Sequence, residues 1–478
     1  MNDGVVQSKP PSRFSNTTKW IYIIMWVQSI KLENIKCFRS QEIAFVSNPK
    51  EGKAARKKPY RWITLLGENG VGKSTVLQSL GLLLAGPEAA KELMPRPTGW
   101  VQDATKAGEM TAKIHKEESD GGNFGQKRES KIFSYSYIVT GSGAIAVGTK
   151  DNRQVYTEPV LLEKPNKILS WLRVNAFASD SKGWFAVGYG AFRRLTRVSQ
   201  VIIPSLEAPK RSSNFFTQFN EDTSLSSFER WMVYLDFRLA KNPQDLEAQR
   251  MKVVGEDAIT KLLPGNVKIA EVTVDGLIQF QIGDKIVPSI SLSDGFRSVI
   301  ALAGDLIWRL LQSFPHLENP TQASGVVLID ELDIHLHPSW QRMIAGWLQD
   351  VFPNLQFIVA THSPLIASGA GERALTLRFR WQGTDVVVEP VRPLEILADV
   401  NRTLTSSAFD LPSVYSPETE RKIQTYHQLQ RKIHTLEPDE RQEYEQLQLF
   451  MKEVKPMGNL PEPDSLEARI NAFLEANL

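Results

Sequence analysis

The sequence predicts an α/β protein built on a mixed central sheet, and three features of the chain lead to this class. Short apolar runs at 62–66, 326–329 and 355–360 have the composition of strands that are buried on both faces of a sheet. The first two runs are followed by segments with the pattern of a helix. Alternating runs at 26–46 and 110–160 predict further strands, in an antiparallel arrangement.

Composition narrows the class of protein. The chain has 478 residues, enough for two or three domains, and a formal net charge of +2, so any affinity for nucleic acid must come from local patches. The single cysteine, Cys37, excludes disulfides within the chain and Cys-x-x-Cys zinc sites, and it is expected to be a small buried apolar residue. This usage fits the cytoplasm. The apolar run from Trp20 to Val27 is too short to span a bilayer.

The pattern along the chain predicts five parts. Polar, Pro/Ser-rich composition marks the start, a period of 3.6 residues returns at 224–240, and Glu, Gln, Lys and Arg dominate the end. The predicted parts are a flexible extension at 1–25, the first part of the α/β core at 26–195, a helical insertion at 196–265, the second part of the core at 266–400, and a C-terminal helical region for partner or oligomer contacts at 401–478.

The first apolar run leads into a phosphate-binding loop, GENGVGKST, that opens a helix. In the pattern G-x-x-x-x-G-K-[ST], backbone N–H groups close on phosphates and the helix N-terminus favours their charge. Lys73 could reach the β- and γ-phosphate oxygens, and Ser74 could ligate Mg²⁺. The predicted ATP-binding residues are Gly67, Glu68, Asn69, Gly70, Val71, Gly72, Lys73, Ser74 and Thr75.

Polar residues also end the other two apolar runs. Asp330 and Glu331 follow 326–329, where Asp330 could hold Mg²⁺ and Glu331 could accept a proton from an attacking water. His362 follows 355–360, and it is either a contact of the γ-phosphate or a structural histidine. Because the carboxyl ends of parallel strands meet at one edge, these residues are expected near the phosphate loop.

A second candidate anion site lies far downstream, in SLSDGFRS at 291–298. Serines and a glycine before an apolar helix are by themselves most typical of a helix N-cap. The residues concerned are Ser291, Ser293, Asp294 and Gly295.

Taken together, these motifs stand in the order of the ATP-binding-cassette fold. The segments IKLENIKCFRS, GENGVGKST, GYGAFRR, SLSDGFRS, LIDELDIHLHPSWQ and VATHSPLI resemble the SMC/RecF-like branch of these ATPases, within the group that includes the overcoming-lysogeny-defect nucleases and the Septu, PARIS and retron-associated antiphage ATPases. The resemblance covers residues 26–370 and is much weaker for 196–265. It implies an ABC-type P-loop NTPase with a mixed central sheet, an antiparallel β subdomain, a helical insertion and a C-terminal helical tail.

The resemblance also implies roles for individual residues. Lys73 and Ser74 match Walker A, Asp330 and Glu331 match Walker B, His362 matches the switch histidine, and Asp333 stands where the D-loop begins. Ser291, Ser293, Asp294 and Gly295 match the signature, with Asp294 in place of its second glycine, and would serve the ATP of a second copy. The Q-loop departs from the family pattern: Gln102 is a poor candidate, and GYGAFRR could replace it. His335 and His337 are expected to be structural.

Partners follow from the same resemblance. A homodimer that shares two ATP molecules is expected, with Mg²⁺ as cofactor, a higher oligomer as a further option, and no membrane. The 196–265 insertion is too short for long coiled-coil arms, and the chain after His362 lacks the Glu and Asp-x-Asp cluster of a Toprim nuclease. The basic loop with Lys53, Arg56, Lys57 and Lys58 is either a DNA-phosphate contact or a solvated hairpin loop.

The resulting hypothesis is a cytoplasmic ATPase that hydrolyses ATP and regulates a separately encoded effector, a nuclease or toxin, in antiphage defence. Two alternatives stay open at this point. One is a RecF-like DNA-repair ATPase that binds DNA as an ATP-dependent clamp, and the other is the ATPase subunit of a transporter. The two helices of the tail, at 418–434 and 439–454, either fold back on their own core or form a docking arm.

Overall fold

The computed structural model describes most of the chain between Met25 and Val454. The described residues are 25–47, 59–116, 131–149, 152–178, 183–191, 210–220, 227–263, 265, 267–273, 277–315, 317–398, 400–409, 411 and 413–454. They fall into two compact units, which divide between Phe409 and Asp410.

The described secondary structure alternates strands and helices. The strands are β1 Trp26–Ile35, β2 Phe38–Ala44, β3 Trp62–Gly67, β4 Gly108–His115, β5 Ile132–Val139, β6 Ile145–Thr149, β7 Asn152–Tyr156, β8 Leu161–Glu163, β9 Ala186–Tyr189, β10 Lys268–Val272, β11 Ile278–Ile282, β12 Lys285–Pro288, β13 Gly325–Ile329, β14 Leu355–Ala360, β15 Leu375–Gln382 and β16 Asp385–Pro390. The helices are α1 Lys73–Ala85, α2 Pro87–Leu93, α3 Lys167–Asn175, α4 Phe216–Phe219, α5 Ser227–Lys241, α6 Leu246–Leu262, α7 Asp294–Ser313, α8 Pro338–Val351, α9 Pro364–Gly369, α10 Pro393–Ile396, α11 Val400–Thr405, α12 Pro417–Arg431 and α13 Pro438–Val454.

The central sheet has the order β16-β15-β3-β14-β13-β9 among the described strands. Its strands β15, β3, β14, β13 and β9 run parallel, and β16 is antiparallel to β15, so the sheet is mixed as predicted. The three apolar runs form β3, β13 and β14, and every residue of β13 and β14 is buried. The sequence prediction of a mixed α/β sheet is therefore confirmed.

An antiparallel sheet accompanies the central one. Within the described residues its order is β2-β1-β4-β5-β8, and β6 pairs with β7 as a separate hairpin. This sheet confirms the strands predicted at 26–46 and the antiparallel meander at 110–160. Met25, just before β1, is also buried, although the predicted extension included it.

Two large apolar clusters lie on opposite faces of the central sheet. Alternate residues of β13 divide between them: Val326 and Leu328 belong to the cluster with α1, and Val327 and Ile329 belong to the cluster with α7. Burial on both faces explains why these strands are uniformly apolar rather than alternating. A covering helix lies on each side, so the carboxyl edge of the sheet remains available for a site.

A helical layer follows β9 in the chain. Helices α5, α6 and α7 pack on one another beside the small antiparallel sheet of β10, β11 and β12. The described part of the predicted insertion at 196–265 is thus helical, and α7, the apolar helix expected after the serines of 291–293, is largely buried. Residues 192–209 and 221–226 lie outside the described residues.

The second unit contains a helical hairpin. Helices α12 and α13 correspond to the two helices predicted in the tail, and they pack through Leu429, Tyr444 and Leu447. The rings of Tyr426 and Tyr444 stack with centroids 5.3 Å apart. Within the described residues, no helix is long and apolar enough to cross a membrane.

Candidate functional site

The candidate site lies where three adjacent parallel strands end. Strand β14 lies between β3 and β13 in the sheet. Gly67 ends β3, Asp330 follows β13 and Thr361 follows β14, so the three polar segments predicted from the sequence meet at one edge. The carboxyl ends of such strands are the usual ligand position in α/β sheets.

A cavity of about 260 Å³ opens at this edge. It is lined by Lys36, Cys37, Asn69, Gly70, Gly72, Lys73, Ser74, Thr75, Glu331 and His362. All of these residues except Lys36 and Cys37 were predicted site residues. Gly67, Glu68, Val71 and Asp330 do not line it directly, although Asp330 lies near enough for its charge to act on Lys73.

Glycines at positive φ shape the loop backbone, and two of them are also closely packed. Gly67 and Gly72 have φ angles of 151° and 89°, in a region that other residues rarely adopt. A Cβ on Gly72 would lie 2.5 Å from Cys37 Sγ and 2.7 Å from the ring of Phe38. The loop therefore fits tightly against the β1–β2 turn and leads directly into α1, whose N-terminal amides can bind an anion.

Lys73 is the buried cation of the site. Its Nζ donates to the carbonyl oxygens of Gly67 at 2.9 Å and Glu68 at 2.7 Å. Burial lowers the pKa of Lys73 below its usual value, while the carboxylates of Asp330 and Glu331 oppose this shift. The phosphate loop and the Asp-Glu strand end are therefore in electrostatic contact.

Asp333 holds the strand end that carries His362. One carboxylate oxygen of Asp333 accepts hydrogen bonds from Thr361 Oγ1 and from the His362 backbone N–H, the latter at 3.3 Å. Burial lowers the pKa of His362 from its ordinary value of 6.5, and the charge of Lys73 lowers it further. The carboxylates of Asp333, Glu331 and Asp330 oppose this lowering of the pKa, but the net direction favours the neutral imidazole, which can donate one hydrogen bond and accept another.

The segment between Asp330 and α8 contains two residues in the left-handed region. Glu331 has φ 45° and His335 has φ 67°, which is uncommon for residues other than glycine. His337 is the N-cap of α8, and its Nδ1 accepts from the Ser339 N–H at 3.3 Å. This contact gives His337 the structural role expected of it.

The signature candidates lie at the start of α7. Ser291 ends a short 3-10 turn, Ser293 is the N-cap residue and Asp294 is the first helical residue, and all three are exposed. The side chain of Ser293 makes no capping hydrogen bond within the described structure, although a simple N-cap was the alternative explanation. None of the four signature candidates lines the cavity of this chain.

Gly295 packs against the loop that follows Asp330. A Cβ there would lie 2.9 Å from the carbonyl oxygen of His335, and the neighbouring ring of Phe296 meets Trp340 edge-on at 4.5 Å. The start of α7 is thus seated on the loop between β13 and α8.

Sequence reasoning missed Lys36 as a cavity residue. Lys36 occupies the β1–β2 turn with φ 47°, and its Nζ lies 4.3 Å from the centre of the Trp100 ring. Burial lowers the pKa of Lys36, and its neighbour Cys37 is half-buried with a pKa raised by burial. The sequence offered only a short turn between two alternating strands, which does not reveal what that turn contacts.

The Q-loop candidates are only partly described. Gln102 is exposed, and its N–H donates to the Asn34 carbonyl at 3.4 Å, outside the cavity lining. In GYGAFRR, Tyr189 ends β9 and its carbonyl accepts from the Asp330 N–H at 2.8 Å. Phe192, Arg193 and Arg194 lie outside the described residues, and so does the basic loop with Lys53, Arg56, Lys57 and Lys58.

Two family models match the two parts of the chain that build this site. The model described as "AAA domain" matches residues 29–176, which contain the phosphate loop. The model described as "AAA domain, putative AbiEii toxin, Type IV TA system" matches residues 186–368, which contain α7, Asp330 and His362.

Curated relatives also match this chain. Septu protein PtuA of Bacillus mycoides (strain KBAB4) is 25% identical over 88% of this chain and 49% of its own length. Retron Vc95 probable ATPase of Vibrio cholerae serotype O1 biovar El Tor is 53% identical over 16% of this chain and 15% of its own. Retron Ec83 probable ATPase of Escherichia coli is 43% identical over 23% of this chain and 20% of its own length. The chain is therefore similar to a Septu protein over most of its own length and to two retron ATPases over shorter stretches.

The chain spans about half the length of the Septu relative and a smaller share of the two retron relatives. Among solved structures, an SMC head bound to the C-terminal winged-helix domain of ScpA is 14% identical, covers 77% of this chain and 98% of that chain, and gives a TM-score of 0.45. The SMC head domain from Thermotoga maritima gives a TM-score of 0.40 at 14% identity, over 77% of this chain and 99% of that chain.

Proposed function

We propose that the protein binds ATP in the cavity at the carboxyl edge of the central sheet and hydrolyses it. The observation that carries this proposal is the shared lining of one cavity by Lys73, Ser74, Glu331 and His362, which come from three separate strand ends. A cation, a hydroxyl, a carboxylate and a neutral imidazole are the groups that phosphoryl transfer to water requires.

The residues present fit Mg²⁺ as the cofactor. The Ser74 hydroxyl lines the cavity and is exposed, and Asp330 follows the neighbouring buried strand. Hydroxyl and carboxylate oxygens are ligands that Mg²⁺ accepts together with phosphate oxygens. Ser74 and Asp330 would hold the ion, which supplies charge neutralisation at the β- and γ-phosphate oxygens.

The protein's own groups then divide the chemistry of hydrolysis. Lys73 exchanges its hydrogen bonds to the carbonyls of Gly67 and Glu68 for hydrogen bonds to phosphate oxygens. Its positive charge then stabilises the negative charge that develops on the leaving group. Glu331 takes the proton of the attacking water, and neutral His362 hydrogen-bonds the γ-phosphate or that water.

We further propose that two copies share the ATP sites. The signature candidates are exposed at the start of α7 and do not line the cavity of their own chain. A second copy would bring Ser293 and the N-terminal amides of α7 to the phosphate oxygens, where the helix dipole favours negative charge. The proposed unit is a homodimer, which could assemble further.

The biological setting is proposed from the relatives. The curated matches are a Septu protein and retron ATPases, so we propose a role in antiphage defence, in which the ATPase controls a separately encoded effector. The chain itself would then not be the nuclease, and the C-terminal region at 401–478 would contact the effector or other ATPase copies.

Glu331→Gln tests the hydrolytic assignment. The amide has the size of the carboxylate but cannot take a proton, so hydrolysis should fall about 10²–10⁴-fold while ATP binding is kept. Lys73→Ala is the complementary variant, because it should lose ATP affinity through the missing phosphate contact. Phosphate release and equilibrium nucleotide binding separate the two effects. Wild-type turnover by purified Glu331→Gln protein would remove Glu331 from the mechanism.

A mixing experiment tests the shared site. A Lys73→Ala chain and a Ser293→Arg chain are each expected to be inactive alone, whereas their mixed dimer contains one intact composite site. Turnover should therefore return on mixing. If mixed dimers form, as shown by differently tagged copies, and no turnover returns for any mixing ratio, the trans role of Ser293 is not supported.

A further inference from the structure

A short stretch at 211–219, here called the bridge segment, lies along the free edge of β9. It comprises a 3-10 turn and α4. Asn214 Nδ2 donates to the Ala186 carbonyl at 3.1 Å, and Thr217 Oγ1 donates to the Gly188 carbonyl at 3.1 Å. Since β9 is an edge strand among the described strands, these side chains take the place of a neighbouring strand.

The bridge segment and β9 fit too closely to move independently. A Cβ on Gly188 would lie 2.1 Å from Gln218 Oε1, and a Cβ on Gly190 would lie 1.9 Å from the Thr217 carbonyl oxygen. Close packing of this kind transmits displacement rather than absorbing it. Any shift of β9, the strand beside Asp330, therefore moves the bridge segment.

A hydrogen-bond chain connects the bridge segment to the nucleotide cavity. Gln78, on α1, donates from Nε2 to the Gln218 carbonyl at 2.9 Å. The Oε1 of the same side chain accepts from Lys36 Nζ at 3.3 Å, and Lys36 lines the cavity. The bridge segment is thus bonded to the helix that starts at Lys73.

The other end of the bridge segment is bonded to α7. Arg309 donates to Asn214 Oδ1 at 2.5 Å and to the Ser213 carbonyl at 3.1 Å. Its Nε donates at 2.6 Å to Asp305 Oδ2, which also accepts from the Tyr189 hydroxyl at 2.9 Å. The side chains of Arg309 and Asp305 are 8% and 1% exposed, so water cannot replace these partners.

We propose that Arg309 is a positioning residue of the ATP site. Through the bridge segment it fixes α7, whose N-cap residue is Ser293, relative to α1, which begins at Lys73, and to β9, the strand beside Asp330. This inference rests on the proposed trans role of Ser293. In a dimer with shared sites, ATP bound in the cavity of one chain then sets the orientation of the same chain's signature residues at the start of α7. That orientation decides how well these residues fit the ATP bound in the cavity of the second chain.

Arg309→Lys is the decisive variant. Lysine keeps a cation beside Asp305 but lacks the planar fork that contacts Asn214 and Ser213 together. Turnover should fall about tenfold or more, because the signature is no longer held in register. Affinity of the single chain for ATP should stay within about threefold of wild type, because Lys73 and Ser74 are untouched.

Arg238→Lys is the matched control. Arg238, on α5, forks in the same way to Asp245 and Glu247, with no contact to the bridge segment among the bonds described. It should leave turnover unchanged. If Arg309→Lys retains wild-type turnover, or if its turnover, ATP affinity and urea midpoint all fall in parallel, Arg309 is merely structural.

Gln78→Leu tests the other end of the bridge segment, and it serves also if Arg309→Lys proves unstable. Both substitutions act through the same segment, so the loss of turnover in the double variant should be smaller than the product of the two single losses. Strictly multiplicative losses would show that the two residues act independently, which contradicts the proposed connection.

Hydrogen exchange separates this inference from the proposed function. In a Ser293→Arg background, which is expected not to pair, the non-hydrolysable analogue AMP-PNP with Mg²⁺ should slow amide exchange in 213–217 and at the start of α7. Adding Arg309→Lys should abolish the change at α7 only. Equal changes with and without Arg309→Lys overturn the positioning role, even where ATP turnover and pairing behave as proposed. Failure of the wild-type chain to bind ATP overturns both proposals.

Discussion

Asp333 offers a quantitative test of how the site is held. Its carboxylate accepts from the hydroxyl of Thr361, which is fully buried, and from the backbone N–H of His362. Hydrogen bonds to a charged acceptor each contribute about 1.5–3 kcal/mol to the free energy of unfolding. The bond from the His362 N–H is long, at 3.3 Å, so its contribution lies at or below the lower end of this range. Asp333 itself is half-buried, so Asp333→Ala should lower the free energy of unfolding by about 2 kcal/mol.

The same substitution should also slow catalysis. Without Asp333 the strand end that carries His362 loses two anchors beside the proposed position of the γ-phosphate, and a small misplacement of a reacting group costs about ten- to a hundredfold in rate. Asp333→Asn keeps an oxygen acceptor for Thr361, so it should lose about half as much stability. Urea unfolding followed by tryptophan fluorescence and phosphate release measure the two effects.

Asp350→Ala is the control for Asp333. Asp350 is an exposed aspartate near the end of α8, and its loss should change neither quantity. The assignment fails if Asp333→Ala unfolds within about 0.5 kcal/mol of wild type, the usual range for surface substitutions, and hydrolyses ATP at the wild-type rate.

Two further predictions concern the tail and the histidine. Truncation after Phe409 should preserve ATP binding and abolish effector association. Truncation after Asp399 should also weaken ATP binding, because it removes Ala408 from the cluster that contains Leu66 near the end of β3. Nucleotide titration and co-purification compare the two truncated chains, and equal ATP affinity would contradict the second expectation. The pKa of His362 should lie below 6.5 by NMR, and it should rise in Lys73→Met, which removes a charge that lowers it. Because the folded-state pKa is lowered, the contribution of His362 to the free energy of unfolding is complete above pH 6.5 and is lost as the pH falls through the folded-state pKa. A measured pKa above 6.5 would contradict the burial argument.

The tail prediction also shows how the structure refines a boundary. The sequence placed the end of the core near residue 400, where the composition changes. Ala408 is nevertheless buried against Ile396 and Leu66, and the compact unit extends to Phe409. Composition averages over many residues, so it cannot show that one small side chain past the change completes a cluster.

Local patterns determined much of the fold and most of the cavity. The phosphate loop, the apolar strand before Asp330 and the strand before His362 are contiguous, and each carries its own secondary structure, so their types were predictable. Parallel-strand geometry then predicted that their ends meet, and the cavity lining includes Lys73, Glu331 and His362.

Other contacts were decided only by the tertiary structure. The β1–β2 turn brings Lys36 and Cys37 to the phosphate loop, and the bridge segment connects Arg309 to Gln78. Neither has a sequence motif, because a side chain that bonds to a distant backbone needs only a hydrogen-bonding group at the right place, not a pattern of neighbours. Which group lies at that place depends on strand order and helix packing, which arise from the burial of the whole core rather than from any single segment.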